Sequence, residues 1–380
     1  TPTIEVVLND VLQISTTDLV TQLTVVGDDS GVKDDLFVVD FAGGNPIPSN
    51  GLQLDGQSQT GADVVELKNQ SVAYTTVDYS ITGDAEATIS LDDGLITSQV
   101  SYVALEAVID HTPAGNRNFT LASAFDVDHV MRTRNGSGAG NSLFEADGAS
   151  AFGVFAFENP ASTLVFNMGP AATTSNTFTV TPMDALLTAA VTINAGDGND
   201  IVDASTYLDA LTINGEGGDD LLGGGASSDT VDGGAGNDSP GGGQGDDLII
   251  GGVGTDIVTE ALDVDFVLSD TLLNAGGGTD TLAGIELADL TGGDSNNSFD
   301  ASAFSGSVTL NGAGGNDTMI GSSGDDQLNG DSGDDRIVQN SDAAQKLSNT
   351  AIEIGTWPAG GGFIATATDG FVSIEEVVMT

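Results

Sequence analysis

Cysteine is absent from this chain of 380 residues, so disulfide bonds cannot hold the fold together and thiol chemistry is excluded. Basic residues are nearly as scarce: seven Lys and Arg face 57 Asp and Glu, giving a formal net charge of -50. No Lys or Arg occurs between Arg134 and Arg336. Such a surface repels nucleic acid and anionic membranes. The chain therefore either stays disordered or recruits cations, and its regular Val, Ile and Leu content favours a cation-binding fold.

Aromatic residues make up only 5% of the chain, and no apolar run approaches the roughly 18 residues of a membrane-spanning helix. The low aromatic content and the 53 glycines argue against a conventional helical core and against a large aromatic-packed sandwich. The chain begins at Thr1 without Met or a signal peptide, so we expect a processed or excised segment. A repeat fold with a thin interior fits this composition best.

Aspartate recurs every nine residues in two runs of the chain. The positions are Asp220, Asp229, Asp238, Asp247 and Asp256 in the first run and Asp317, Asp326 and Asp335 in the second. The residue two positions after each of these aspartates is apolar in every case except Pro240. The phrase Gly-Gly-x-Gly-x-Asp-x-apolar-x predicts a glycine turn followed by a short strand whose apolar residue points inward. Eighteen residues then make one coil.

Aspartates eighteen residues apart stack in such a coil. Their carboxylates, together with carbonyl groups of the glycine turns, form an oxygen cage that suits Ca²⁺ better than Mg²⁺ or Zn²⁺. The predicted pairs, each flanking one calcium ion, are Asp220 with Asp238, Asp229 with Asp247, Asp238 with Asp256, and Asp317 with Asp335. The full set of predicted metal ligands is Asp200, Asp220, Asp229, Asp238, Asp247, Asp256, Asp317, Asp326 and Asp335. For the isolated motif around Asp200, a calcium-independent turn is the open alternative.

A longer repeat of 97 residues relates "LTINGEGGDDLL" (211–222) to "VTLNGAGGNDTM" (308–319). A third partial copy follows, because "DGFVSIEEV" (369–377) is similar to "DTLAGIELA" (280–288). Residues 1–190 lack the nine-residue period and show many short strand patterns separated by turns. We predict an irregular β-rich domain at 1–190, resembling a β-helix or β-sandwich, a first calcium β-roll at 191–260, a connecting β segment at 261–310, and a second calcium β-roll with a terminal strand segment at 311–380.

Three residues depart from the repeat. Ser227 replaces a turn glycine, and Pro240 stands at an inward position where it removes a strand donor, so we expect a distorted coil around 238–240. Asn297 replaces the counterpart of Asp200 in the second copy of the long repeat. A site at Asn297 is expected to be weaker or absent.

The sequence resembles the RTX, or hemolysin-type, calcium-binding nonapeptide family. The likeness is carried by "GGQGDDLII", "GGVGTDIVT", "GSSGDDQLN" and "GDSGDDRIV". The resemblance implies an all-β fold with a parallel β-roll or right-handed β-helix, calcium as the bound ion, and a secreted bacterial protein that folds in extracellular calcium. The first 190 residues resemble, more loosely, the β repeats of very large bacterial surface proteins.

No catalytic motif stands out, and we predict that the chain is not an enzyme. His111 and His129 lie beside carboxylates, which is expected by chance in so acidic a chain. The basic cluster Arg117, Arg132 and Arg134 is expected to be a solvated loop, or else a docking spot for an acidic neighbour.

Three functions fit these patterns. The first is a calcium-stiffened structural segment of an extracellular filament, surface layer or giant surface protein that self-associates end to end. The second is an adhesin that binds carbohydrate or a host protein through a groove with exposed aromatic residues near 102–157. The third is a secretion and folding module of a larger exported enzyme or toxin.

Overall fold

The computed structural model describes residues 5–7, 23–26, 36–40, 47, 51–55, 63–68, 73–83, 86–95, 97–103, 107–121, 130–136, 140–147, 154–168, 175–276, 278–339, 344–347, 351–356, 364–372 and 376–379. Every regular element in these ranges is a β-strand, as the sequence predicts. Within the same ranges, no helix is long and apolar enough to cross a membrane. The chain forms two compact units, Thr1–Tyr207 and Leu208–Thr380. The finer division into four segments stays a prediction.

The first unit is built from short strands. In chain order they are β1 Glu5–Val7, β2 Leu23–Val26, β3 Leu36–Asp40, β4 Leu52–Asp55, β5 Val64–Lys68, β6 Tyr74–Gly83, β7 Glu86–Asp92, β8 Thr97–Val103, β9 Ala107–Asp110, β10 Ala114–Leu121, β11 Val130–Asn135, β12 Asn141–Asp147, β13 Val154–Glu158, β14 Thr163–Asn167, β15 Thr177–Thr179, β16 Ala190–Asn194 and β17 Ile201–Asp203.

These strands form two sheets. One sheet has the order β1-β3-β5-β9-β13-β12-β11-β15-β17. The other has the order β2-β4-β8-β7-β6-β10-β14-β16. Most steps are parallel, and antiparallel steps occur where β12 or β7 is inserted between parallel neighbours and at β1. The first unit is therefore a coil-like fold interrupted by hairpins, which is the irregular β region predicted from the sequence.

An aromatic cluster fills the interior of the first unit. Tyr79 stacks on Phe119 with ring centroids 4.3 Å apart, and Phe119 stacks in turn on Phe166 at 5.3 Å. Phe144 lies 4.8 Å from Phe166, and all these rings are buried. The argument from low aromatic content does not hold here, because the aromatic residues of the chain are concentrated in this one unit.

Arg117 lies inside this core, fully buried, and is not part of a solvated loop. Its Nη1 forms an ion pair with Asp110 Oδ2 at 2.7 Å and donates to the Tyr79 hydroxyl at 2.6 Å, while its Nε donates to the Glu158 carbonyl at 2.8 Å. The sequence prediction for Arg117 is wrong because a buried cation with a buried carboxylate and full hydrogen bonding is stable without solvent. The side chains of Arg132 and Arg134 lie outside the described residues.

The regular elements in the described residues of the second unit are again strands. They are β18 Leu211–Asn214, β19 Leu221–Gly223, β20 Thr230–Ala235, β21 Ser239–Gly241, β22 Leu248–Val253, β23 Ile257–Ala261, β24 Phe266–Ser269, β25 Leu272–Ala275, β26 Thr279–Ala283, β27 Leu287–Thr291, β28 Ser298–Ala303, β29 Ser307–Asn311, β30 Thr318–Ile320, β31 Gln327–Asn329, β32 Arg336–Gln339, β33 Ala344–Leu347, β34 Ala351–Thr356, β35 Ile364–Val372 and β36 Glu376–Met379.

The predicted coil of eighteen residues is confirmed by the strand register. Ile213 pairs with Val231 and Val231 with Ile249 in successive parallel strands, and Leu222 pairs with Pro240 on the other side of the coil. The predicted inward residues are all buried: Leu222, Val231, Pro240, Ile249, Val258, Met319, Leu328 and Ile337. Each coil thus contributes a small number of apolar side chains to a thin core, which matches the composition.

The segment after β23 adds coils of a different length to the same sheets. Leu248 pairs with Thr281 across a step of 33 residues, because the antiparallel hairpin β24–β25 is inserted between β22 and β26. On the opposite side, Ile257 pairs with Leu287 and Leu287 with Ser307. Parallel pairing then returns to eighteen-residue steps, as in Met319 with Ile337. The stack of coils therefore continues through the predicted connecting segment.

Pro240 interrupts one of the hydrogen-bonded ladders. On one side β21 keeps its pairing with β19, where Ser239 N donates to Asp220 O at 2.7 Å. On the other side, in the described part of the second unit, β21 and β23 belong to separate sheets. Proline has no N–H to donate, so the expected distortion takes the form of a missing pairing and the coil register is kept.

Backbone strain distinguishes the degenerate turns from the glycine turns. Ala313 has a φ of 69°, at the turn position that Gly234 occupies in another repeat with a φ of 100°. A side chain in this left-handed region costs free energy that glycine does not pay. A Cβ on Gly234 would also contact the carbonyl oxygen of Glu216.

We expect Ala313→Gly to raise the free energy of unfolding by up to about 1 kcal/mol. Gly234→Ala, the matched reverse change, is expected to lower it by more than about 1 kcal/mol because strain and a backbone contact add. Urea unfolding in saturating calcium measures both. A free energy of unfolding that Ala313→Gly leaves unchanged or lowers would contradict the assignment of strain to Ala313.

Candidate metal centre

All nine predicted metal ligands are buried, each with at most 3% of its surface exposed. In the two runs, each of these aspartates directly precedes a strand; Asp220, for example, precedes β19 and Asp229 precedes β20. The glycine turn reverses the chain, and the strand that follows places its first apolar residue in the core, so the aspartate at the junction points into the stack. Burying so many carboxylates requires compensating partners.

Backbone N–H groups supply part of that compensation through a repeating hydrogen bond. The N–H of one aspartate donates to Oδ1 of the aspartate eighteen residues later: Asp220 to Asp238 at 2.9 Å, Asp229 to Asp247 at 2.7 Å, Asp238 to Asp256 at 2.8 Å and Asp317 to Asp335 at 2.8 Å. These are the four pairs predicted from the spacing. The structure brings each pair together, with one carboxylate oxygen used to join two coils.

The second carboxylate oxygen is treated differently. Oδ2 of Asp238, Asp247, Asp256 and Asp317 is buried and accepts no hydrogen bond. A buried carboxylate oxygen without a donor costs several kcal/mol unless a cation or a proton compensates it. These atoms therefore mark places where a positive charge is required.

Backbone carbonyl oxygens face the same places. A Cβ built on Gly233 would lie 2.6 Å from Asp238 Oδ2 and 2.6 Å from the Gly251 carbonyl oxygen, which belongs to the next coil. At Gly312 the same position meets Asp317 Oδ2 and the Gly330 carbonyl oxygen at 2.7 Å. Glycine is needed here because the space of its missing side chain is taken by two hydrogen-bond acceptors. A carboxylate and a carbonyl converging without a donor are the hard oxygen ligands that Ca²⁺ takes.

The cage is not made of side chains alone. Among the described residues, no group of three His, Cys, Asp or Glu side chains is arranged to hold a metal ion. An ion in the second unit would take carboxylate oxygens such as Asp238 Oδ2 together with backbone carbonyl oxygens such as that of Gly251. Ligands from successive coils then meet at one ion.

Asp229 and Asp326 differ from the other aspartates because their second oxygen is already hydrogen-bonded. Gly225 N donates to Asp229 Oδ2 at 2.6 Å, and Ser322 N donates to Asp326 Oδ2 at 2.8 Å. Both lie in degenerate turns, "GGASSD" and "GSSGDD". In these turns a backbone N–H compensates part of the carboxylate charge that a cation compensates at the other aspartates. Asp229 and Asp326 therefore depend less on a bound ion.

This difference predicts unequal effects of two matched substitutions. Asp238→Asn is expected to raise the calcium concentration at the folding midpoint roughly tenfold, corresponding to about 1.4 kcal/mol. Asp229→Asn is expected to raise it less than about threefold, since Asp229 Oδ2 already has a donor. Calcium titrations followed by circular dichroism measure both midpoints. A larger effect at Asp229 than at Asp238 would contradict the difference.

Asp200 and Asn297 have hydrogen-bond partners of two other kinds. Asp200 Oδ1 accepts from Asn176 N at 2.6 Å and from Asn176 Nδ2 at 3.1 Å. Asn297 Nδ2 donates to Asp263 Oδ1 at 3.3 Å and to the Val264 carbonyl at 3.1 Å. The Asn297 amide thus donates to a carboxylate and to a carbonyl, which fits the prediction of a weaker calcium site there.

Three acidic residues that the nine-residue period does not predict take part in the same network. Glu260 Oε1 accepts from Gly242 N at 2.6 Å and from Gly243 N at 3.0 Å. Asp280 Oδ1 accepts from Asp247 N, and Glu286 Oε2 accepts from Asp256 N, each at 3.0 Å. The spacing of Asp280 and Glu286 in the sequence is irregular because of the inserted hairpin, and their only available signal is the weak similarity between 280–288 and 369–377. Glu260 precedes the hairpin and lies outside both of these segments.

Several buried carboxylates of the second unit have raised pKa values. Burial raises the pKa of Asp247 to about 7, and the charge of Asp280 adds to the rise. Burial likewise raises the pKa of Glu260 to about 7 and that of Asp280 to about 6. For Asp238, Asp256 and Asp317, burial again raises the pKa above its ordinary value. The network therefore resists carrying its full negative charge without a cation.

Fold and site together define a parallel β-roll whose successive coils are joined through buried carboxylates that require cations. The model of the RTX calcium-binding nonapeptide repeat matches four stretches, residues 188–206, 212–240, 242–259 and 309–338, so these stretches are similar to RTX repeats. These repeats bind calcium ions and are typical of secreted bacterial proteins. A comparison with curated proteins finds no match to the chain.

The histidines give no indication of catalysis. His111 Nε2 lies 3.6 Å from Glu66 Oε1 in a partly exposed pair. His129 lies outside the described residues. That the chain is not an enzyme remains a prediction.

Proposed function

We propose that this chain is a non-enzymatic, calcium-stiffened structural segment of a bacterial extracellular protein. The observation that carries the proposal is the position of the cation ligands between successive coils, as with Asp238 Oδ2 and the Gly251 carbonyl. An ion bound there contributes its binding free energy directly to the stacking of the coils. Calcium then acts as a structural component of the fold.

The same chemistry supports a location outside the cell. Extracellular calcium modules work with dissociation constants of roughly 10⁻⁴ to 10⁻³ M, which the calcium concentration outside cells fills and that of a calcium-poor cytosol does not. With buried carboxylates uncompensated, the roll stays unfolded before export and folds after it. The secreted character typical of RTX proteins supports this order of events.

We further propose that copies associate end to end into a filament or surface layer. Stacked parallel strands leave N–H and C=O groups on their outermost strands, and these groups pair readily with another copy. Sedimentation velocity and electron microscopy, with calcium and with EDTA, test the proposal over a range of protein concentrations. We expect calcium-dependent assemblies, and monomers under every condition would contradict self-association while leaving the calcium-stiffened roll intact.

The adhesin alternative gains no support from the aromatic residues. In the described part of 102–157, the side chains of Tyr102, Phe119, Phe144, Phe155 and Phe157 are buried and do not line an exposed groove. A glycan array remains the direct test of carbohydrate binding. The full reading frame decides whether the segment is a secretion and folding module of a larger enzyme or toxin.

A further inference from the structure

The carboxylate ladder does not stop where the nonapeptide repeat stops. The third matched stretch ends at residue 259, yet Asp247 N donates to Asp280 Oδ1 and Asp256 N donates to Glu286 Oε2. Like the bond from Asp238 N to Asp256 Oδ1, each of these hydrogen bonds runs from the N–H of a repeat aspartate to a carboxylate oxygen of the next coil. Residues outside the repeat thus take the position that a repeat aspartate would occupy in the next coil, although the steps are 33 and 30 residues.

The two aspartates joined to this closing coil each have a buried carboxylate oxygen without a donor. Asp256 is fully buried, Asp247 is 3% exposed, and Oδ2 of each accepts no hydrogen bond. At Gly251, the space of the missing side chain is taken by Asp256 Oδ2 and by the carbonyl oxygen of Gly284. Gly284 therefore supplies, from the inserted segment, the carbonyl that Gly251 supplies to the site of Asp238.

The second run ends in the same way at the level of backbone register. Leu248 and Ile257, which follow Asp247 and Asp256, pair with Thr281 and Leu287 of the closing coil. Likewise Gln327 and Arg336, which follow Asp326 and Asp335, pair with Gly370 and Glu376.

The residues before those partners repeat the same acids in the sequence. Asp280 and Glu286 lie six residues apart in "DTLAGIE", and Asp369 and Glu375 lie six residues apart in "DGFVSIE". Glu375 itself lies outside the described residues. Both nonapeptide runs are therefore followed in the sequence by an Asp-x₅-Glu segment.

We propose that Asp-x₅-Glu is a closing motif that adds calcium sites beyond the repeat: Asp280 completes a site with Asp247, and Glu286 with the Gly284 carbonyl completes a site with Asp256. The motif keeps the last carboxylates of the first run from being left without a cation. The inference rests on calcium binding by the repeats and is independent of self-association.

The test counts calcium ions bound to the full chain by native mass spectrometry and calorimetry. Glu286→Gln keeps an acceptor for Asp256 N but removes the charge, and we expect one calcium ion fewer per chain. Asp280→Asn is expected to lose one ion as well, and the double variant two. Asp209→Asn removes one exposed carboxylate of the second unit and is expected to leave the number unchanged.

Unchanged calcium numbers and affinities in both the Glu286→Gln and the Asp280→Asn variants would overturn the proposal. A second measurement covers the case in which a variant does not fold. Crystals of the unaltered chain with terbium in place of calcium are expected to show an anomalous peak between Asp256, Gly284 and Glu286. Peaks confined to the nonapeptide turns would overturn the closing motif while leaving calcium binding by the repeats in place.

Discussion

Chelation of calcium at pH 7.5 is expected to unfold the second unit and leave the first unit largely folded. Each ion that binds only the folded state stabilises it by about 2.7 kcal/mol at a hundredfold excess over its dissociation constant. Several such ions act on one stack of coils, whose apolar core is thin. Removing them leaves buried carboxylates such as Asp238 and Asp256 without compensation.

The first unit has a core of another kind. Its stacked aromatic rings and the buried ion pair of Arg117 with Asp110 need no metal. Hydrogen exchange read by mass spectrometry separates the two units: amides of β20 and β22 are expected to exchange rapidly in EDTA, while those of β6 and β10 stay protected. Magnesium at the same concentration is the control and is not expected to restore protection. Unchanged protection of β20 and β22 in EDTA would refute the cation requirement.

Acidification is expected to replace calcium in part. In calcium-free buffer the second unit should be folded near pH 5 and lose its β-sheet signal as the pH rises to 7.5. The sign follows from the raised pKa values of the buried carboxylates, because a group that binds its proton more tightly when folded stabilises the fold at low pH. For Asp247 this stability is present below its ordinary pKa of 3.8 and is lost as the pH rises to about 7. Glu260 and Asp280 act in the same direction.

Circular dichroism at constant ionic strength, with and without calcium, measures this dependence. Saturating calcium is expected to flatten the profile between pH 5 and 7.5, since the ion and the proton compensate the same oxygens. Asp247→Asn is expected to reduce the calcium-free slope because it removes one titrating group. Greater stability of the chelated protein at pH 7.5 than at pH 5 would contradict the sign.

The sequence predicts the regular part of the second unit well because one period governs it. Nine-residue spacing implies the coil, the inward position of residues such as Ile249, and the four aspartate pairs that the backbone bonds join. The 97-residue repeat is less informative, since β18 and β29, which correspond in sequence, lie in different sheets of the unit. Similar sequences can therefore occupy opposite sides of one coil.

Features without a period could not be predicted in this way. Asp280 and Glu286 join the ladder only because the β24–β25 hairpin takes up the additional residues, and no local pattern gives that length. Arg117 is buried through contacts with Asp110 and Glu158, which come from other strands and cannot be read from its neighbours in sequence. Asp229 Oδ2 accepts a hydrogen bond and Asp238 Oδ2 does not, and this difference depends on whether a turn N–H reaches the carboxylate oxygen.

The gap in strand pairing at Pro240 has a mechanical consequence. Between β21 and β23, the described contacts include the hydrogen bond from Ile257 N to Asp238 O, the Ser239–Thr259 hydroxyl contact at 2.8 Å and the link from Asp238 to Asp256. Under a pulling force along the stack, the β21–β23 contact has fewer backbone hydrogen bonds to resist separation than the contacts between neighbouring coils. The rupture force of the β21–β23 contact should therefore depend more steeply on the calcium concentration than that of any fully paired contact between coils.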